Sequence, residues 1–124
     1  MGVQPRNVHV STGQTEGREL AEKEFSRVVL EAVDEGLLVL GASVRDTIYY
    51  NVERDDGIRR QEIPGRVEDF HKALERLFGS GVRTIEKLIA KSLCGRLGIA
   101  LLASENWSLV DYVDYVKKAP RVMT

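Results

Sequence analysis

Residues 62–97 read EIPGRVEDFHKALERLFGSGVRTIEKLIAKSLCGRL and contain two amphipathic patterns that meet at a Gly-Ser-Gly corner. Apolar side chains recur at steps of three and four on both sides of the corner, which predicts helices over 66–78 and 82–97. Gly79 suits the positive φ that ends a helix, and Ser80 can cap the next one. A corner this short predicts that the two helices are neighbours, either antiparallel or steeply crossed.

A longer apolar stripe lies upstream of this pair. Its members recur at helical steps: Phe25, Val29, Val33, Leu37, Leu40, Val44, Ile48 and Val52. Because the spacing keeps its phase through Gly36 and Gly41, it favours one long helix in which the glycines let another helix pack close. The competing interpretation is a break at the second glycine, with Ser43 as the cap of a new helix. Leu38 and Val39 widen the stripe, as expected for a helix that is covered on several sides.

The two ends of the chain carry weaker signals. Residues 1–18 mix small and polar residues with isolated valines, which cannot offset the entropy of ordering, so we expect a disordered N-terminal tail. A last helix is expected over about 107–119, and Pro120 ends it, which leaves 120–124 frayed. The prediction is one all-α domain over 19–119. It is a small bundle of three to five helices with one long N-terminal helix and the helix-corner-helix pair.

Composition limits the function classes. The 124 residues include 18 Lys plus Arg and 19 Asp plus Glu, for a formal net charge of -1. This balance excludes a global field that would recruit nucleic acid or an anionic membrane, so any binding patch must be local. No apolar run approaches the roughly 20 residues of a membrane span. The lone cysteine, Cys94, has no intramolecular partner and fits a reducing interior, so we expect a cytoplasmic protein.

The sequence offers little for catalysis or metal binding. No serine, cysteine or lysine has a base beside it, and the two histidines, His9 and His71, are far apart without clustered cysteines. His71 lies beside the apolar face of its helix. This favours a boundary position over a catalytic base, because no second polar group is placed to orient it. We therefore expect no enzyme, no metal and no cofactor.

Helix 82–97 presents three cations, Arg83, Lys87 and Lys91, on one face against a single acid, Glu86. With the short corner before it, this order is typical of a helix-turn-helix, and the three side chains are candidate nucleic-acid contacts. A recognition helix also needs polar side chains for base edges, and few are present here. DNA binding is therefore a disfavoured alternative.

Aromatic residues supply the candidates for an interface or a pocket. They are Tyr49, Tyr50, Trp107, Tyr112 and Tyr115. Packing at the margin of the core is favoured for them, although one long helix in a small domain often has more apolar surface than its own chain covers. That excess is compatible with a dimer surface. A further hypothesis is a small-ligand sensor with a pocket near Tyr49, Tyr50 and His71.

An ordered set of positions links three runs of the sequence, GLLVLGASVRDTIYYNVE, GIRRQEIP and EDFHKALERLFGSGVRTIEKLIAKSL. The positions are Leu40, Gly41, Val44, Ile48, Tyr49, Ile63, Pro64, Phe70, Leu74, Phe78, Gly79 and Gly81. With this spacing, residues 32–98 resemble the small archaeal output domain named after Nitrosopumilus. The resemblance implies an archaeal, cytoplasmic helical module found alone or attached to signalling and transcription proteins, with no established catalytic residues.

The excess of apolar helix face and this resemblance point to the same class of function. We predict a non-enzymatic regulatory or protein-interaction module of a signalling or transcription system. It is expected to associate with itself, as a homodimer, or to bind another signalling or transcription protein.

Overall fold

Five α-helices form the described part of the chain. The computed structural model describes residues 9–101 and 106–119, with side chains from Leu20 onward. The elements are α1 (His9–Leu38), α2 (Ala42–Asp56), α3 (Val67–Phe78), α4 (Val82–Leu97) and α5 (Leu109–Lys118), with 3-10 turns at Arg60–Gly65 and Gly79–Gly81. Neither stretch contains a strand. The predicted all-α bundle, with its long N-terminal helix and helix-corner-helix pair, is confirmed.

The centre of the bundle is an antiparallel contact between α1 and α4. Glu31 of α1 pairs with Arg96 near the end of α4, whereas Gly36, further along α1, meets Ile89, which comes earlier in α4. A Cβ atom at Gly36 would lie 2.8 Å from the Ile89 Cα, so no side chain fits between the two backbones. The prediction that Gly36 lets another helix pack close is confirmed.

The long apolar stripe is interrupted at Gly41. This residue has a φ of 109°, and its N–H donates to the Leu38 carbonyl at 2.9 Å, so a turn separates α1 from α2. The prediction of one continuous helix is wrong, and the competing break is correct in its location. Its cap is Gly41 and not Ser43, since no side chain caps α2. The interruption, 39–41, is close in length to one helical turn of 3.6 residues, which is why the spacing concealed it.

The corner between α3 and α4 follows the predicted positions more closely. Gly79 has a φ of 56°, which confirms the positive φ expected where α3 ends. Ser80 does not cap α4, because residues 79–81 form a 3-10 turn that leads directly into the helix. Gly81 takes the cap position, without a side-chain hydrogen bond.

Helix α1 begins upstream of the predicted start of the domain. Residues 1–8 lie outside the described part, but α1 starts at His9 and so includes 9–18 of the predicted tail. The expectation of disorder weighed only the apolar surface that these residues could bury. Extending a helix that is already anchored adds one hydrogen bond per residue. The predicted frayed end, 120–124, lies outside the described residues.

The core draws on all five helices and on the connection between α2 and α3. Its largest fully buried side chains are Tyr112, Phe70, Leu37, Ile58, Ile63, Leu74, Ile89, Leu93 and Leu109. Within the two described stretches, no helix combines the length and the apolar content that crossing a membrane requires.

Candidate functional site

An open groove runs along the solvent side of the contact between α1 and α4. It has a volume of about 620 Å³. Small, apolar and charged residues line it together: Glu35, Gly36, Val39, Leu88, Lys91, Ser92, Gly95 and Arg96. A groove between two helices has the shape that accepts a further helix, with apolar contacts inside and charged residues at the edges.

Three large apolar side chains are exposed where α1 ends and α2 begins. Leu38 is 47% exposed, Val39 67% and Val44 41%, and we call these three residues the apolar corner. Val39 also lines the groove, and Val44 lines a smaller hollow with Leu77 and Phe78. The prediction that Leu38 and Val39 are covered on several sides is wrong. The chain leaves α1 at this point, and the described elements leave both side chains in water.

Arg96 bridges α4 and α1 at the edge of the groove. Its guanidinium lies 2.9 Å from Glu31 Oε1 and 3.2 Å from Glu35 Oε1, and the Ser92 hydroxyl also donates to Glu35. The Ser92 hydrogen bond and the Arg96 charge hold the pKa of the Glu35 carboxyl below its ordinary value. Because these groups are exposed, the pairs add little to stability. Their main effect is to fix where the charges lie along the groove.

The outer face of α4 carries the predicted basic row. Arg83, Lys87 and Lys91 are exposed and follow one another at steps of four, which places them on one side of the helix. Within the described residues, neither Lys87 nor Lys91 forms an ion pair. The only acid of α4, Glu86, is fully buried. Every charged side chain on the outer face of this helix is therefore a cation.

Glu86 forms a buried tie between three helices. Its Oε2 lies 2.6 Å from Nδ1 of His71 in α3, and its Oε1 accepts a hydrogen bond of 3.0 Å from the Leu109 N–H at the start of α5. Burial raises the pKa of the Glu86 carboxyl, while the hydrogen bonds from His71 and from the Leu109 N–H act in the opposite direction. We use "buried tie" for His71, Glu86 and the Leu109 N–H.

The sequence-based account of these two residues was partly wrong. His71 is a boundary residue as predicted, with its side chain 19% exposed. The expectation that no polar group orients it is wrong, because its partner comes from another helix, 15 residues away in sequence. The burial of Glu86 was missed, although a signal existed. Position 86 follows Val82 by four residues and precedes Ile89 by three, so it belongs to the inward stripe of α4.

A carboxylate that holds an imidazole is an arrangement that general bases use. In this protein the other imidazole nitrogen, Nε2 of His71, lies 3.9 Å from the Glu75 carboxylate. Within the described residues no hydroxyl or thiol hydrogen-bonds to His71. These contacts fit a structural joint between helices.

Tyr49 belongs to a second polar cluster. Its hydroxyl donates to Asp34 of α1, and the Arg60 guanidinium binds the same carboxylate, with Nε 3.1 Å from Oδ1. Burial would raise the pKa of Asp34, but the hydrogen bonds from Arg60 and Tyr49 outweigh it, so the pKa lies below its ordinary value. Burial and the neighbouring Asp34 raise the pKa of the Tyr49 hydroxyl. Tyr50 stays in water, 63% exposed, with the Arg54 guanidinium 5.2 Å from its ring centre.

The later aromatic residues pack together, as predicted for the margin of the core. The Trp107 ring centre lies 5.2 Å from that of Tyr112 and 5.5 Å from that of Tyr115. Tyr112 is buried, and the Tyr115 hydroxyl donates to the Ala100 carbonyl at 3.0 Å. The structure thus joins these three aromatic rings. It gives Tyr49, Tyr50 and His71 separate partners, which are Asp34, Arg54 and Glu86. The small-ligand sensor stays a hypothesis.

Comparisons with known proteins leave the family interpretation untested. No family model, no curated protein and no solved structure matches the chain. The resemblance of residues 32–98 to an archaeal output domain therefore stays a prediction. In the described stretches, no group of three or more His, Cys, Asp and Glu side chains is arranged to hold a metal ion.

Proposed function

We propose that the protein is a non-enzymatic interaction module that associates with itself through the α1–α4 groove and the apolar corner. In keeping with the sequence resemblance, the proposal places it in an archaeal signalling or transcription system. The single observation that carries the proposal is the exposure of Val39. This apolar side chain is 67% exposed and belongs to both the groove and the apolar corner.

Burial of this surface supplies the driving force. Removing apolar surface from water contributes roughly 25 cal/mol per Å². Val39 and Leu88 line the groove from its two sides, and Leu38 is exposed next to Val39 in the sequence. Gly95 leaves room beside α4 for a partner backbone. The charged residues around it set the orientation of the partner more than the affinity.

Light scattering coupled to size-exclusion chromatography tests this proposal. Across a concentration series the wild-type chain is expected to reach the mass of a dimer. The substitution Val39→Asp places a charge in the buried contact and is expected to raise the dimer Kd by about tenfold or more. Leu20→Asp is the matched control, because Leu20 is also on α1 and is 64% exposed but does not line the groove.

The control variant is expected to dimerise like the wild type, and circular dichroism checks that both variants keep their helices. A wild-type chain that remains a monomer at every concentration would contradict the proposal. So would an equal loss of association in Val39→Asp and Leu20→Asp, since this would point to a general effect of charge on α1.

A second candidate function is nucleic-acid binding by the basic row of α4. It is favoured by one observation: Arg83, Lys87 and Lys91 are exposed on a helix whose only acid is buried. An electrophoretic shift series over salt concentration tests it. Changing Lys87 and Lys91 to Ala is expected to lower the slope of log affinity against log salt by about 1.8, the value for two phosphate contacts. Absence of a shift even at low salt would eliminate this candidate.

A further inference from the structure

We infer that the partner in the groove is a second copy of this chain, whose α1 lies on α4 of the first, with the two-fold axis running parallel to these helices. This inference rests on the proposed self-association and adds its geometry. The dimer centre would be two layers of two helices, α1 and α4 from each copy.

Acidic and basic side chains lie on opposite sides of the groove. On the α1 side the acids are Glu31 and Glu35. Both pair with Arg96 of the same chain, and their side chains remain 39% and 58% exposed. On the α4 side stand Lys87 and Lys91, both exposed and without an ion pair among the described residues. The α1 edge therefore carries acids that stay partly exposed despite their pairs with Arg96, and the α4 edge carries cations without an ion pair among the described residues. A partner that fits the groove must therefore place cations opposite the acids of α1 and acids opposite the lysines of α4.

The symmetry of a dimer limits how two copies of this surface can meet. A homodimer is normally closed by a two-fold axis, and a two-helix face can meet its own copy in two simple ways. If the axis crosses the helices, each helix lies on its own copy, so acid faces acid and cation faces cation. If the axis runs along them, α1 lies on α4 of the other copy and opposite charges meet. Like charges placed together across an interface suppress association, so the charge pattern selects the second arrangement.

The space beside Gly95 is empty within the described chain. This residue lies inside α4, where glycine is destabilising relative to alanine. A Cβ atom at Gly95 would have no heavy atom within 4 Å, whereas the space beside Gly36 is filled by Ile89. Nothing in the described chain therefore uses the missing side chain of Gly95. An α1 helix from a second copy, packed along the groove, would use it for close approach of the two backbones.

Charge reversal on the two edges of the groove gives the test. In the inferred arrangement Lys91→Glu places an acid opposite Glu35 of the other copy, and Glu35→Lys places a cation opposite Lys91 of the other copy, while Lys87 and Glu31 are unchanged. In the inferred arrangement each variant alone brings like charges together twice, and its dimer Kd is expected to rise by about tenfold. An equimolar mixture of the two variants restores both opposite-charge contacts. It is expected to form a heterodimer with a Kd near the wild-type value.

Native mass spectrometry of the mixture, with one chain isotope-labelled, counts the homodimers and heterodimers directly. Glu22→Lys is the matched control, because it reverses an exposed acid of α1 that does not line the groove, and it is expected to dimerise like the wild type. Thermal unfolding of each variant alone checks that the fold is intact.

The outcomes separate the two proposals. Wild-type chain that never dimerises overturns the proposed function itself. Wild-type dimers that neither single reversal weakens, or a mixture that gives no excess of heterodimer, overturn the inferred arrangement and leave self-association standing. Weakened single variants whose mixture recovers as heterodimer support the arrangement.

Discussion

The two sides of helix α4 differ in how their charged side chains are paired. On its inner side, the buried tie holds Glu86 away from water between His71 and the Leu109 N–H. On its outer side, Lys87 and Lys91 stand in water beside a groove with no ion-pair partner in the described chain. The inner side is complete within one chain, since a buried charge requires its partners to be present. The outer side tolerates unpaired charge, and so it is the side that a partner can use.

The largest expected loss of stability comes from removing the buried tie on the inner side of α4. Glu86→Ala leaves the His71 imidazole and the Leu109 N–H without their common acceptor and opens a cavity between α3, α4 and α5. Leaving a buried donor without its acceptor costs about 1 to 3 kcal/mol and the cavity adds to this cost, so the free energy of unfolding should fall by at least this order. Urea denaturation followed by circular dichroism measures it. Glu75→Ala removes an exposed carboxylate near the same imidazole and should change the stability little.

A loss of stability in Glu86→Ala no larger than that in Glu75→Ala would mean that the buried tie does not hold α5 to the bundle. Glu86→Gln sharpens the result, because its amide can still accept from the Leu109 N–H. It should be more stable than the alanine variant.

The contact between α1 and α4 gives the next effect. Gly36→Ala places a Cβ atom 2.8 Å from the Ile89 Cα, and a backbone atom cannot move aside as a flexible side chain can. Overpacking of this kind costs about 1 to 3 kcal/mol. The same denaturation experiment should show the loss. Unchanged stability would contradict the close approach of the two helices.

Stability against pH should distinguish Glu86 from the other carboxyls. Burial raises its pKa in the folded state, so the folded chain binds this proton more tightly than the unfolded chain does. Its contribution is fully present below the ordinary pKa of glutamate and is lost as the pH rises through the raised value. The wild-type melting temperature minus that of Glu86→Gln should therefore decrease with rising pH over this window. The groups that face Glu86 are His71, Glu75 and the Leu109 N–H.

The pH dependence of the stability contribution of Asp34 should have the opposite sign to that of Glu86. Its pKa is lowered, so its contribution is present above the ordinary pKa of aspartate and is lost as the pH falls through the lowered value. The wild-type melting temperature minus that of Asp34→Asn should decrease with falling pH. Equal pH slopes for the two differences would contradict the assigned shifts.

The smallest effect is expected at Gly95. Alanine fits there without contact to any heavy atom within 4 Å, and it favours the helix, so Gly95→Ala should stabilise the monomer by about 0.5 to 1 kcal/mol. The same methyl group stands in the space that the inferred partner helix uses. We expect the dilute Gly95→Ala monomer to be more stable and its dimer Kd to be higher than in the wild type. This result would separate Gly95, which serves the contact with a second copy, from Gly36, which serves packing within the chain. Unchanged association would remove Gly95 from the contact.

Much of the fold was predictable from local spacing. The period of the apolar residues gave the two helices around Gly79, the buried face of each and the close approach at Gly36. It could not reveal the break at Gly41, because a turn of that length preserves the helical phase. The spacing also predicted, wrongly, that Leu38 and Val39 are covered by other elements. Periodicity shows which side of a helix is apolar, but not whether another element packs against that side.

The candidate site was less predictable, because its parts meet across the fold. His71 and Glu86 are adjacent only when α3 and α4 pack, and no local spacing pairs them. The groove combines residues of α1 and α4 that are far apart in the sequence, such as Glu35 and Arg96, which are separated by 61 positions. The basic row at 83, 87 and 91 was visible from sequence, but the acidic edge that faces it depends on the antiparallel pairing of α1 with α4.

Hydroxyl-radical footprinting of the wild-type chain at low and high concentration tests the central claim most directly, since it reports the solvent exposure of individual side chains. The account predicts that labelling of Leu38 and Val39 falls as the concentration rises. Labelling of Leu20 and Tyr50, which are exposed elsewhere, should stay constant. Unchanged labelling of Leu38 and Val39 in a chain that has associated, or protection confined to Leu20 and Tyr50, would contradict it.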